Sequence, residues 1–293
     1  VNRRNNPKRN NSNNAQQNLL TFTKMHGLGN DFIVLDLLTQ PREISSELVR
    51  KLADRNFGIG CDQLLIVEAP TRPEADFKYR IFNANGDEVE QCGNGARCFA
   101  KYVIDKKLTG LETIKVETNT GNIELKVLAN NMVEVNMGVP ILEPSKVPFA
   151  HNEQKDNYDV DINGKTLSLG AVSMGNPHAV VIVDDVMNAE VEKIGTALQQ
   201  GPAFPNSVNV GFMQVLDRSN IKLRVLERGV GETLACGTGA CAAVVSGILQ
   251  GQLDDTVVVE LVGGKLTVSW LGGEQPVIMT GPAVTVYEGQ YKL

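Results

Sequence analysis

No apolar run in this 293-residue chain approaches the roughly 20 residues a membrane-spanning helix needs, which argues against a helical membrane protein. A basic surplus is missing as well. The formal charge is −6, and the cations Arg3, Arg4, Lys8 and Arg9 sit in an acid-free tail, which leaves −10 on the rest. A nucleic-acid-binding body is therefore not expected. Cysteine is scarce and odd in number, five in all. That does not fit a secreted disulfide framework and points to a reducing cytoplasm. Residues 1–18 are rich in Asn and Gln and carry no large apolar side chain except Val1. Such a segment cannot bury enough surface to offset its ordering entropy, so a disordered tail is expected over 1–19. It contains no apolar region like that of a signal peptide, and with Ser12 as its one hydroxyl it makes a poor transit peptide.

What is present is a phrase that occurs twice. CGNGARC runs from Cys92 to Cys98, and CGTGACA runs from Cys236 to Ala242; each leads into an apolar stretch. Asn30, in a Gly-Asn pair, precedes Cys92 by 62 residues, and Asn176, in another, precedes Cys236 by 60. Asn83 and Glu227 each stand nine positions before their cysteine. The halves are thus offset by 144 to 146 residues, as in a duplicated domain. With 42% hydrophobic residues, each half can bury a core of its own. Two related halves that each present one cysteine can face each other across a cleft. That suits chemistry needing one acid/base group on either side of a single carbon.

Short runs such as FIVLD, QLLIVE, TIKVET and MVEVNM in the first half, and AVVIVD, VNVGFMQVL, IKLRVLE and TVVVELV in the second, read as strands bounded by Gly, Asn or Asp. Ser45-Ser46 can cap a helix over SSELVRKLADRN, and Asn188 one over NAEVEKIGTALQQ. Two further helices follow the cysteine phrases, as ARCFAKYVIDKKL and GACAAVVSGILQG. The second is apolar almost all round and should be buried on every side. The expected fold is α/β (α+β), with a curled mixed β-sheet wrapped around a central helix in each of two pseudo-symmetric domains. Gly138, Pro140 and Pro144 mark the seam, giving domains over 20–137 and 138–281.

The phrases KMHGLGNDF (24–32), GCDQLL (60–65), FNANGDEVEQCGNGARC (82–98), MGNPHAV (174–180), VNVGFM (208–213) and ERGVGETLACGTGACAA (227–243) together resemble the diaminopimelate epimerase family. They span nearly all of the chain outside the tail, in order. Small departures are Asn85, where the family usually shows Asp, and Cys61, where an aromatic or aliphatic residue is commoner. The resemblance implies a cofactor-independent isomerase that interconverts LL- and meso-2,6-diaminopimelate in lysine and peptidoglycan precursor synthesis. It further implies a cleft between two domains, a last strand (about 282–293) that returns to the first domain, and a homodimer. Asn30, Gln63, Asn83, Asn176, Asn209, Glu227 and Arg228 match family positions that contact substrate.

Inverting an amino-acid stereocentre means removing a weakly acidic α-proton and returning one to the opposite face. Cys92 and Cys236 suit the two sides, because thiol and thiolate both exist near neutrality. The glycines of each phrase let backbone approach a ligand. The amides of Gly93-Asn94 and Gly237-Thr238, at helix starts, are candidate donors to the α-carboxylate, where charge develops. No lysine context suggests a Schiff base, and no cofactor is expected. Arg228 can grip a distal carboxylate in a fork, and Glu227 can take an ammonium or tune a thiol. His178, one of three histidines, is a second candidate for tuning a thiol; His26 reads as structural and His151 as surface. Cys98 follows Cys92 with five intervening residues and Cys241 follows Cys236 with four, against two to four in metal pairs. Helical placement would turn both away from the cleft, so no metal site is expected; with Cys61 they read as packing residues. A proline or hydroxyproline racemase-type enzyme is the nearest alternative, and a thiol redox or metal-binding module the alternative from another class. Phenazine-pathway isomerases share the fold but lack the cysteine pair.

Overall fold

Strand-forming residues dominate, and the faces they bury decide how the layers stack. The computed structural model describes residues 19–89, 92–119, 121–162 and 164–293. The first half runs β1 (Leu19–Gly27), β2 (Asn30–Asp36), α1 (Ser46–Ala53), β3 (Gln63–Glu68), β4 (Phe77–Asn83), β5 (Glu88–Val89), α2 (Gly93–Asp105), β6 (Thr113–Thr118), β7 (Gly121–Val127), β8 (Met132–Asn136) and β9 (Tyr158–Ile162). The second half repeats that order. It comprises β10 (Lys165–Ser173), β11 (Pro177–Ile182), α3 (Val191–Gln200), β12 (Asn209–Asp217), β13 (Asn220–Glu227), β14 (Gly231–Thr233), α4 (Gly237–Leu249), β15 (Thr256–Leu261), β16 (Gly264–Ser269), β17 (Ile278–Pro282) and β18 (Val284–Lys292). Residues 1–18 of the expected tail lie outside the described residues, and Leu19, assigned to it above, opens β1.

The pairing repeats with the order. β2 and β3 are parallel, as are β11 and β12, and so are β4 with β6 and β13 with β15. Phe32 stands opposite Gln63, and His178 stands opposite Asn209, which makes these two cross-strand pairs equivalents. The halves join edge to edge where β8 pairs antiparallel with β17. β18 then returns to β1, and β9 lies against β10, so each half lends its last strand to the other.

The parallel pairs β2–β3 and β11–β12 are largely buried on both faces, and the period of two sorts their side chains. In β2, Phe32 and Val34 face the core around α2, while Ile33 and Leu35 join Val49 and Leu52 of α1. In the second half Val180 and Met213 face α4, while Val181 and Phe212 pack with Val191 and Leu198 of α3. The two inner cores are not separate as composition alone suggested. Both α2 and α4 belong to one apolar cluster, because the β8–β17 junction carries Val135 and Met279 from one half to the other and Met137 follows it directly. In α4 every residue from Gly239 to Gly247 is buried.

Helix starts differ from expectation in an instructive way. α2 begins at Gly93 and α4 at Gly237, so Cys92 and Cys236 are themselves the N-cap residues. Ser45 caps α1, accepting from the Leu48 amide at 3.2 Å. Asn188 does not cap α3. Its side chain is taken by Asp185 at 2.7 Å, and the helix starts at Val191 with no side-chain cap.

Candidate active site

Because each cysteine has an extended backbone and caps the start of a helix, its sulfur sits beside free helix-start amides. The amides of Asn94 and Gly95 reach the Cys92 thiol, and the Gly239 amide reaches that of Cys236. Such donors, with the positive end of the helix dipole, favour thiolate. Burial works against them: it pushes the Cys92 thiol up and the Cys236 thiol well up from the usual range. The surroundings then diverge. Cys92 Sγ has Asn30 Oδ1 at 3.7 Å, and Cys236 Sγ has Thr238 Oγ1 at 3.6 Å and the Glu227 carboxylate as hydrogen-bond partner.

Glu227 ends β13 beside β14, where Thr233 donates a short hydrogen bond to its Oε1. Burial raises its carboxyl above the usual carboxylate range, and its charge in turn raises Cys236 and, more weakly than burial does, Cys92. The carboxylate thus holds Thr233 and Cys236.

The amide side chains are held by one another, by the cysteine loops and by backbone. Gln63 Nε2 donates to Asn83 Oδ1 at 2.8 Å, directly across the β3–β4 ladder. Asn94 Nδ2 donates to Asn30 Oδ1 at 3.2 Å and to the Ala235 carbonyl at 3.0 Å, which ties the first cysteine loop to the residue before Cys236. On the other side Asn176 Nδ2 donates to Thr238 Oγ1 at 3.4 Å, and Asn176 Oδ1 lies 3.0 Å from His178 Nε2. Asn209 holds the Pro177 carbonyl through Nδ2 (3.2 Å) and accepts from the Arg228 amide (2.9 Å). The Arg228 guanidinium is exposed and reaches the Asn206 carbonyl at 2.9 Å. Gly93 and Gly237 are close-approach positions: a Cβ on Gly93 would meet Met279 Cε at 2.8 Å, and one on Gly237 would meet Met279 Sδ at 3.2 Å and Asn94 Oδ1 at 3.6 Å.

His178 is fully buried, and burial pushes its imidazole down to about 3, so it is neutral near pH 7. Its reach to Cys236 runs through Asn176 and Thr238 rather than directly. Cys61, Cys98 and Cys241 are buried, and burial pushes each thiol up to about 12. Among the described residues no three His, Cys, Asp or Glu side chains are grouped to hold a metal ion, and no helix is long and apolar enough to cross a membrane.

One part of the site escaped the reading of the residues. Asp62 Oδ2 accepts from Asn30 Nδ2 at 3.0 Å, and Asp62 and Asp31 are clamped together by Arg55. That clamp fixes the amide beside Cys92. Its signal was an acid adjacent to each of two candidate amides, Asp31 after Asn30 and Asp62 before Gln63.

The diaminopimelate epimerase family profile matches residues 22–143 and 170–286, which takes in both cysteine loops and both amide sets. The chain belongs to this family. A diaminopimelate epimerase from Ectopseudomonas mendocina is 58% identical over 275 residues, covering 94% of this chain and 100% of that protein. One from Teredinibacter turnerae is 56% identical over 274 residues, covering 94% and 99%. At fold level alone, this member of the diaminopimelate epimerase family is also similar to a hydroxyproline epimerase from Agrobacterium vitis, with a TM-score of 0.68 at 15% identity over 94% of this chain and 93% of that one. A phenazine biosynthesis protein of the PhzF family from Bacillus anthracis gives 0.68 at 16% identity, over 94% and 99%.

Proposed function

We propose that this diaminopimelate epimerase family member is an isomerase interconverting LL- and meso-2,6-diaminopimelate with two thiols and no cofactor. The observation that carries the reading is the pair of equivalent cysteines, each capping a buried helix beside free amides, with Asn94 joining the two loops. One sulfur, as thiolate, takes the α-proton from one face. The other, as thiol, delivers a proton to the opposite face, and the roles exchange with direction. As the proton leaves, charge moves onto the α-carboxylate, where the amides of Gly93-Asn94 and Gly237-Thr238 strengthen their hold. With burial raising both thiols, the substrate's own ammonium supplies the charge that favours thiolate, and Glu227 accepts the Cys236 proton along the hydrogen bond it already makes.

Asn30, Gln63, Asn83, Asn176, Asn209 and Arg228 form the part of the pocket that reads the distal amino-acid group. Amides both donate and accept, and the exposed Arg228 fork suits a carboxylate. His178, neutral and linked through Asn176, orients that amide rather than exchanging protons. A homodimer in the cytoplasm completes the reading, and sedimentation velocity at micromolar concentration tests the dimer.

The deciding experiment is incubation with LL- or meso-diaminopimelate in heavy water. Solvent deuterium should enter the α-position of the product at one deuteron per inversion, with no added pyridoxal phosphate or metal. Exchange on proline but none on diaminopimelate would transfer the chain to the racemase-type alternative.

A further inference from the structure

Arg97 is wholly buried, yet among the described residues no carboxylate pairs with it. Its guanidinium is held by dipoles alone. Nε donates to the Pro282 carbonyl at 3.1 Å, one Nη to the Gly93 carbonyl at 3.4 Å and toward the Met279 sulfur at 3.8 Å, and the other Nη to Asn94 Oδ1 at 2.9 Å. Burying a cation without a counter-ion is costly, and an apolar side chain of similar volume would fill the space without that cost. The repeat shows that the position does not demand a charge: five residues after Cys236, where Arg97 stands five after Cys92, the second half carries the buried Cys241.

What Arg97 holds is informative. Asn94 turns its oxygen to the guanidinium, and its nitrogen is thereby aimed at Asn30 Oδ1, the oxygen beside Cys92, and at the carbonyl preceding Cys236. The cation is tightly enclosed: a Cβ on Gly27 would lie 3.0 Å from its Nη, and one on Gly281 would lie 3.1 Å from its Nε. We infer that Arg97 is a positioning residue of this site: it locks the Asn94 amide so that the two cysteine loops keep one spacing, and it supplies the fixed positive charge beside which the Cys92 thiolate forms. The inference rests on the two-thiol reading above. The titratable groups facing Cys92 are Glu227, Tyr79, Cys98 and Arg97, and Arg97 is the cation among them. Burial, and more weakly Glu227, push the Cys92 thiol up; the Gly95 and Asn94 amides, and after them the Arg97 charge, pull it down.

The test is alkylation by iodoacetamide as a function of pH, with Cys92 and Cys236 quantified separately by peptide mass spectrometry, beside steady-state kinetics. Arg97→Met should raise the Cys92 alkylation midpoint by about one pH unit. It should lower kcat about 100-fold with a smaller change in KM. Arg97→Lys should restore the midpoint but only part of kcat, because an ammonium lacks the fork that reaches Pro282 and Asn94 together. An Arg97→Met enzyme with wild-type midpoint and wild-type kcat per folded molecule overturns the inference. Should that variant not fold, Asn94→Ala and Arg97→Lys carry the test. The first should lose about tenfold in kcat with the Cys92 midpoint unmoved, and wild-type kcat in both variants overturns the inference equally. Absence of α-proton exchange in the wild type would instead strike the reaction assignment, while the midpoints would still report on the charge of Arg97.

Discussion

The two cysteine loops share a backbone and differ in charge. Both cysteines cap a helix from an extended conformation, and both sit beside a hydroxyl or amide drawn from their own half. Cys92 is half-buried, with a neutral amide at its sulfur and a buried cation one helical turn on. Cys236 is buried, with a carboxylate at its sulfur and a neutral cysteine where the other half has that cation. The repeat thus gives each half an equivalent N-cap cysteine beside helix-start amides. The differences at Asn83 versus Glu227 and at Arg97 versus Cys241 set the electrostatics of each thiol separately. A symmetric pair would place both thiols in the same protonation state, whereas the reaction needs one of each.

The strongest way to break this comparison is to remove either sulfur. Cys92→Ala and Cys236→Ala should each lower epimerisation by about 10³-fold or more while circular dichroism stays native, because each thiol serves one face. Near-normal turnover in either would end the two-sided account. Next comes Arg228→Ala, expected to lower kcat/KM for diaminopimelate by about 100-fold, since the distal carboxylate would lose its charged hydrogen-bond partner. A loss confined to kcat would show that the guanidinium acts elsewhere. Glu227→Gln sharpens the contrast between the faces. Removing its charge should move the Cys236 alkylation midpoint to lower pH, with a smaller shift in the same direction at Cys92, yet turnover should fall about tenfold for want of the proton acceptor. An upward shift at Cys236 would contradict the assigned role.

His178 offers a subtler test, because its equivalent in the first half is Phe32, which cannot titrate. Burial depresses the imidazole from its ordinary value of 6.5 to about 3. Between those values the unfolded chain binds a proton that the native one does not, so stability falls as pH drops through this window. The slope is about 1.4 kcal/mol per pH unit at most. Urea midpoints from pH 7 down to 4.5 should therefore flatten in His178→Gln relative to wild type, and parallel curves would refute the burial argument. Smallest in functional effect are Cys98→Ala and Cys241→Ala. Each should cost about 1 kcal/mol of stability through a small cavity while leaving turnover substantially intact, as thermal melts and assays can check.

Local sequence made much of this visible. The repeated cysteine phrase, the alternating strands and the all-round apolar character of α4 each follow from short-range pattern, as does the Ser45 cap. The misses share a cause. Asn188 is a good N-cap by type, but Asp185, three residues earlier, competes for its side chain. The helix starts were placed late because glycines read as turn residues, although here Gly93 and Gly237 are the first helical positions. The role of Asp62 escaped notice because its partner Asn30 lies 32 residues away along the chain.

By itself the sequence determined the duplicated plan, with one cysteine and one Gly-Asn amide at equivalent places in each half, since residue type and spacing carry that information directly. Two things were decided only by tertiary structure: the merging of both inner cores at the β8–β17 junction, and the different charge environments of the two thiols. The reason is physical. Which strands pair is settled by the total surface they bury, and a group's proton affinity depends on burial and on charges within a few ångströms, however far apart along the chain those charges lie.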